Sequence, residues 1–229
     1  MVIGNGLLAS RFQSFQTDDR YLIFAAGVSN SRTRNESEFE RESTLLSKCI
    51  DENPYKIAVY FSTYSIYDPD QADSVYVRHK LNMENLVRSK VSRYFIFRVS
   101  NLAGKPGNPN TILNYFYYHI KNQVNFDLWT NACRNILDID DLFFIITYLF
   151  ETRDGYAEPI NIAHPRNYPV PEIVNKIESH LNVKANYVAI EKGSCFDIDL
   201  TEIAPILSQL KQVFEDRYLE RMLLKYYVD

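Results

Sequence analysis

Apolar and polar positions along the first hundred residues fall into blocks whose spacing separates strands from helices. Residues 1–3 end a short strand, a glycine turn follows, and Leu7, Leu8, Phe12 and Phe15 then share one stripe of a helix. After the polar TDDR, residues 21–28 (YLIFAAGV) make a continuous apolar run of strand length, the pattern of a strand buried on both faces. Phe39, Leu45, Leu46, Cys49 and Ile50 return to helical spacing within 35–53, Pro54 ends that helix, and 56–63 (KIAVYFST) reads as the next buried strand. The loop SIYDPDQADS, a helix over 75–89 and a strand over 93–100 complete a β-α-β-α-β-α-β order. That order predicts an α/β fold with a parallel, doubly wound sheet covered by helices on both faces.

The stretch GKPGNPN, 104–110, is the richest in Gly, Pro and Asn and marks a change of layer. Beyond it the pattern predicts a helix over 111–121, a short strand over 125–129 and a helix over 138–152. A strand over 158–164, a helix over 170–181 and a last helical segment over 207–227 follow. The expected division is a core over 1–104, with 126–150 returning to it, and a smaller α/β lobe built mainly from 105–229.

Composition narrows the function. With 25 Lys+Arg against 29 Asp+Glu, a net charge of −4 and 46% apolar residues, the chain is an ordinary globular one. No basic face is clustered in the sequence, so neither a nucleic-acid backbone nor an anionic membrane is an expected partner. No apolar run approaches the roughly 20 residues of a membrane-spanning helix, and the start lacks the features of a signal peptide, so the expected location is the cytoplasm. Cys49, Cys133 and Cys195 are far apart and in no CxxC pair, and His79, His119, His164 and His180 show no HxxxH spacing. The expectation is therefore a reducing compartment, no disulfide framework and no protein-bound metal. Asp138, Asp140 and Asp141 read as helix N-terminal charge rather than a metal cluster. His164 and Trp129 read as packing residues, and Tyr115, Phe116, Tyr117 and Tyr118 as mainly core with one outward face.

Three features carry chemistry. Gly4-Asn5-Gly6-Leu7-Leu8-Ala9 fits GxGxxA between a strand and a helix, where Gly4 permits a tight turn, Gly6 lets backbone approach a pyrophosphate, and Ala9 allows close helix packing. Tyr76 and Lys80 form a YxxxK on a helix, one turn apart on one face. Tyr117 and Lys121 repeat that spacing, but only Tyr76 follows a buried strand ending in hydroxyls, Ser62 and Thr63. A tyrosine near its ordinary pKa of about 10 is a poor proton shuttle at neutral pH, and a neighbouring ammonium can bring it into range.

In their fixed order GNGLLAS, FAAGVSNS, YFSTYSIYD, YVRHK, FRVSNLAG, CRNILDIDDL and INIAHPRNYPVPEIVNKI, the motifs from Gly4 to Ile177 resemble the extended short-chain dehydrogenase/reductase family of nucleotide-sugar epimerases, dehydratases and 4-keto reductases. The resemblance implies a Rossmann-like doubly wound sheet with a small C-terminal substrate lobe, and NAD or NADP as cofactor. It implies Thr63, Tyr76 and Lys80 as the catalytic set, with Lys80 also on the nicotinamide ribose. Gly4, Gly6, Leu7, Leu8, Ala25, Ala26 and Gly27 would line the cofactor. Ser62, Thr63, Asn101 and Arg134 would meet a nucleotide-diphosphate sugar, the guanidinium gripping phosphate oxygens. Family dehydratases carry Asp-Glu after the catalytic Thr; Tyr64-Ser65 stands here, which leaves epimerisation or keto reduction, in bacteria usually for surface polysaccharide precursors. Relative to the family the chain is short by one strand-helix-strand after the first helix. The ribose-gripping acid then has no strand end, leaving Asp18 or Asp19 as substitutes, or Arg32 or Arg34 for a 2′-phosphate. The helix over 35–53 also lacks the Asn that braces the family's site. A homodimer through Phe39, Leu45, Leu46, Leu81, Leu86 and Val87 is the expected assembly. The alternative reading is a degenerate member that binds a nucleotide sugar or a protein without redox chemistry.

Overall fold

In the computed structural model, which describes residues 1–105, 107–109, 111–210 and 213–228, the first half alternates strand and helix: β1 (Val2–Ile3), α1 (Leu7–Arg11), β2 (Tyr21–Phe24), α2 (Glu36–Glu52), β3 (Ile57–Thr63), α3 (Val75–Lys90) and β4 (Tyr94–Val99). Then come β5 (Asn101–Ala103), α4 (Ile112–Lys121), β6 (Phe126–Trp129), β7 (Cys133–Arg134), β8 (Ile136–Asp138), α5 (Ile139–Thr152) and β9 (Ile160–Ile162). The chain closes with β10 (Tyr168–Pro169), α6 (Val170–Leu181), β11 (Tyr187–Ile190), α7 (Ala204–Gln209) and α8 (Tyr218–Tyr226). Pro106 and Asn110 of the GKPGNPN stretch, and Lys211 and Gln212 of the last helical pattern, lie outside the described residues.

Strands β1, β2, β3, β4 and β9 form one sheet in that order, each neighbouring pair parallel. Alternate residues explain why the runs read as apolar throughout. Tyr21, Ile23, Val59, Phe61, Phe95 and Phe97 face α1 and α5, whereas Leu22, Phe24, Ala58, Tyr60 and Ile96 face α2 and α3. Side-chain caps set the helix starts: Asn35 accepts from the Ser37 amide at α2, Ser74 from Val77 at α3, and Asp138 from Asp140 at α5.

The sheet winds in an unusual way. Because β1, β2 and β3 advance in one direction while α1 and α2 lie on opposite faces, the first two crossovers have opposite hands, and one of them departs from the right-handed rule. Among the described residues β1 is the sheet edge and the strand order does not reverse. Asp18 and Asp19 are consequently at the wrong end of the sheet for a ribose. The N-terminal ammonium donates to the Phe15, Asp18 and Tyr21 carbonyls at 2.8, 2.9 and 2.9 Å, which fixes the aspartates at the N-terminal edge of the strands.

A second core forms from α4, α6, α8 and β6, with Phe116, Ile120, Phe126, Ile173, Ile177 and Met222 inside it. Strand β6 pairs with β11 and joins this core, so of the segment 126–150 it is α5 that packs on the main sheet. The single tail helix expected over 207–227 is instead α7, whose Ile206 enters the main core, and α8, whose Leu219 and Leu223 enter the second. Two expected dimer residues, Leu46 and Val87, are buried within the protomer between α2, α3 and the sheet, and are not available to a partner. The acidic run at α5 is neutralised locally: Lys225 pairs with Asp138 and Asp140 at 2.8 and 2.7 Å, and Arg11 with Asp140 at 2.6 Å.

The expectation of unpaired cysteines is overturned. Cys133 and Cys195, 62 positions apart, are joined in a disulfide, because β7 lies beside the segment that follows β11 and the Cys133 amide donates to the Ser194 carbonyl at 3.2 Å. Closing a loop of that length contributes about 4 kcal/mol in the chain-entropy model. Cys49 is free and buried. Thiol titration in denaturant should therefore give one thiol per chain before reduction and three after it; three before reduction would remove the disulfide.

Candidate active site

The site forms where β1, β2 and β3 end, because parallel strands deliver their C-terminal loops to one edge of the sheet. Gly4 sits at φ +134°, and a Cβ there would meet the Ala25 carbonyl oxygen, so only glycine lets the first turn lie against the Ala25-Ala26 segment. An added Cβ on Gly6 would meet nothing within 4 Å, which leaves open space over the turn at the start of α1. No side chain caps that start. Leu7 and Leu8 are half-buried and pack against the main core.

Residues 25–28, expected as strand, leave the sheet after Phe24 and run beside α2 and α3. Here the structure holds a buried cluster that the motifs did not announce. Glu42 of α2 is fully buried and has four partners: Oε1 accepts from the Tyr60 hydroxyl at 2.6 Å and Lys80 Nζ at 3.0 Å, while Oε2 accepts from the Val28 amide at 2.6 Å and lies 3.0 Å from His79 Nε2. Lys80 Nζ donates also to the Tyr60 hydroxyl at 3.0 Å and the Phe61 carbonyl at 3.3 Å, so each of its three protons has an acceptor. Gly27 belongs to this cluster rather than to open space. A Cβ there would come within 2.8 Å of Lys80 Nζ and 2.9 Å of Glu42 Oε1.

Tyr76 and Thr63 lie beside the cluster. The Thr63 side chain favours the ionised form of the Tyr76 phenol, accepts from the Ser65 amide at 3.1 Å, and is itself buried. Lys80 Nζ is 5.9 Å from the Tyr76 ring centre. Burial pushes the Tyr76 phenol above its ordinary range; the Lys80 charge opposes this and the Glu42 charge reinforces it. Burial would also raise Glu42, but Lys80, His79, Tyr60 and the Val28 amide together hold it down at about 2. Tyr60, enclosed and facing Glu42, is raised well above 10.

The expected substrate residues separate into two sets. Ser62 alternates away from Thr63 along the strand and donates to Glu84 Oε1 at 2.7 Å, inside a pair that Glu84 makes with Arg98, so its hydroxyl is not offered to a ligand. Asn101 and Arg134 do come together. Asn101 donates to the Tyr64 hydroxyl and the Asn135 carbonyl, both at 2.8 Å, and Arg134 acts electrostatically on Tyr64 and Asp68. Phe196, from the segment tied down by Cys195, stacks on Tyr64 with ring centres 5.7 Å apart, and its carbonyl accepts from Asn167 at 2.7 Å.

Glu42, Tyr60 and Tyr64 were missed by motif reading. For Glu42 a signal exists: it falls between Phe39 and Leu46 on the apolar stripe of α2, where a solvated carboxylate has no place. His164, read as packing, is buried against Tyr218 with ring centres 4.4 Å apart, and burial lowers it to about 4.

No family model matches the chain, and no curated protein matches it. Solved structures do. UDP-glucuronic acid 4-epimerase from Bacillus cereus, in complex with UDP-glucuronic acid and NAD, superimposes with a TM-score of 0.69 at 16% identity, over 95% of this chain and 79% of that one. dTDP-4-dehydrorhamnose reductase from Bacillus anthracis, in complex with NADP, gives 0.67 at 18% identity, over 95% and 85%. UDP-N-acetylglucosamine 4-epimerase from Bacillus cereus gives 0.67 at 18%, over 90% and 91%. The chain therefore has the Rossmann-like fold of NAD(P)-dependent nucleotide-sugar epimerases and reductases.

Two outcomes follow from the buried cluster. Gly27→Ala should force Lys80 and Glu42 apart and lower stability by about 2 kcal/mol or more, read as a fall in the urea midpoint. Glu42 titrates lower in the folded chain than its ordinary 4.5, so its contribution is complete above that value and is lost as pH falls towards 2. The stability gap between wild type and Glu42→Gln should accordingly shrink across that window in urea titrations.

Proposed function

We propose that the protein is an NAD(P)-dependent enzyme acting on a nucleotide-diphosphate sugar, as an epimerase or a 4-keto-sugar reductase in the making of surface polysaccharide precursors. The observation that supports the reading is the gathering of Thr63, Tyr76 and Lys80 beside the end of β3, with the Gly4–Gly6 turn at the C-terminal end of β1 in the same parallel sheet. Gly4, Gly6, Ala25 and Ala26 would hold the cofactor's pyrophosphate. Asn101 and Arg134 would hold the sugar diphosphate, with the ring lying towards Thr63. A bound nicotinamide dinucleotide would supply or accept a hydride. Thr63 and Tyr76 would hold the sugar oxygen and Tyr76 would move its proton, with the Lys80 charge one turn away favouring the ionised phenol. Pairing of two copies through the outer faces of α2 and α3 belongs to the same reading, with Leu45, Leu81 and Leu86 as its apolar residues.

A second reading is favoured by two observations. The three protons of Lys80 already have acceptors, in Glu42, Tyr60 and Phe61, and β1 is a sheet edge with no strand beyond it among the described residues to receive an adenosine. On that reading the protein binds a nucleotide sugar or a protein partner without turnover.

Calorimetric titration with NAD(H) and NADP(H), with and without UDP or dTDP, separates the two. Micromolar dinucleotide binding is the expected result; binding of the nucleoside diphosphate alone selects the second reading. Tyr76→Phe should retain the fold by circular dichroism and lose about 10²-fold or more in turnover, and full activity in that variant would remove Tyr76 from the mechanism.

A further inference from the structure

A lysine beside a catalytic tyrosine favours the phenolate through its uncompensated positive charge, and in this chain that charge is compensated. Glu42 is fully buried, 3.0 Å from Lys80 Nζ, and anchored by Tyr60, His79 and the Val28 amide, so it cannot swing away without stranding four groups. The other charged groups of α3 are the exposed Arg78, His79, which faces the same carboxylate, and a set further along the helix. Glu84, one turn further on, is paired with Arg98 at 2.7 Å and Arg88 at 3.4 Å, and Tyr60 is a neutral phenol donating to Glu42. Tyr76 thus lies beside an ion pair instead of beside a cation.

We infer that Glu42 is a positioning residue that keeps Tyr76 a phenol, so that the site works as a proton donor and reduces nucleoside-diphosphate 4-keto sugars rather than oxidising sugar hydroxyls. This rests on the reading above and selects between its two reactions. In reduction, the carbonyl π bond breaks as a hydride from a reduced nicotinamide joins carbon and the Tyr76 proton joins oxygen. The keto sugar is reduced to an alcohol, the nicotinamide is oxidised, and the phenolate left on Tyr76 takes a proton from water. Epimerisation has to begin the other way, with a phenolate removing the sugar's hydroxyl proton, and a Lys80 whose charge Glu42 opposes at 3.0 Å supports that state less than a free cation would.

The test needs no substrate. Tyrosine labelled at ring carbon Cζ reports phenol against phenolate by its carbon NMR shift, and Tyr76→Phe identifies the Tyr76 signal. In wild type the signal should remain that of a phenol past pH 9. In Glu42→Gln, which keeps an acceptor for Lys80 but removes the charge, ionisation should move down by about 1–3 pH units, the effect of a cation within about 4–6 Å. A purely structural Glu42 would alter stability and leave that midpoint in place. A wild-type Tyr76 already ionised at pH 7–8 overturns the inference, as does an unmoved midpoint in a folded Glu42→Gln. If that variant does not fold, the wild-type titration decides by itself. A second measurement uses the wild-type holoprotein with dTDP-4-keto-6-deoxyglucose and with UDP-glucose. NAD(P)H consumption with the keto sugar supports the inference, and conversion of UDP-glucose to UDP-galactose at pH 7 overturns it while leaving the parent reading intact. Absence of dinucleotide binding is the separate failure, that of the parent reading.

Discussion

The buried pair between Glu42 and Lys80 is the constraint around which the site is organised. Placing two charges inside a protein is costly unless each is fully hydrogen-bonded, and here every acceptor and donor of the pair is used. Removing either partner alone would leave an unpaired buried charge, at a cost of about 3–5 kcal/mol. The pair joins α2, α3 and β3 to one another and to the segment carrying Gly27 and Val28. It also explains why residue 27 has no side chain, since a Cβ would stand where the carboxylate and ammonium meet.

A shortened sheet frames the pair. With β1 at the edge, α1 packs on α5 through Phe12 and Phe143, ring centres 5.0 Å apart, and through the Arg11–Asp140 pair. That contact lets five helical residues replace a longer crossover. Space over Gly6 is open to an added Cβ, whereas β1, at the edge, has no neighbouring strand on its outer side among the described residues. The edge position of β1 and the saturated Lys80 bear on the same question, how a dinucleotide would be held, from the two ends of the cleft.

The second lobe is tied to the first by polar and covalent links as well as by packing. Asn135 donates to the His164 carbonyl at 2.8 Å and accepts from the His164 amide at 2.9 Å, joining the end of β7 to the end of β9. The disulfide holds the segment after β11 against β7, and Phe196 in that segment closes over Tyr64. The surroundings of Tyr64 are thus built from residues distant in sequence, with one covalent bond among their links.

The strands of the main sheet and the helices between them were legible in the sequence, because burial on two faces leaves continuous apolar runs and caps such as Asn35 and Asp138 are local, whereas the short strands β5, β7, β8, β10 and β11 carry no such run and were not. So was the neighbourhood of Thr63, Tyr76 and Lys80, since one strand end and one helical turn suffice to bring them together. Leu46 and Val87 show the limit: an apolar residue on a stripe fits a core and an interface equally well until a packing partner is known. The pairing of Cys133 with Cys195, the inward turn of Ser62 and the split tail helix were decided by contacts between segments far apart in the chain, which no local spacing encodes. The role of Glu42 belongs to the same class. Its place on an apolar stripe is written in the sequence, but only the tertiary structure puts a lysine 38 positions away within 3.0 Å of it, and the charge state of the site follows from that distance.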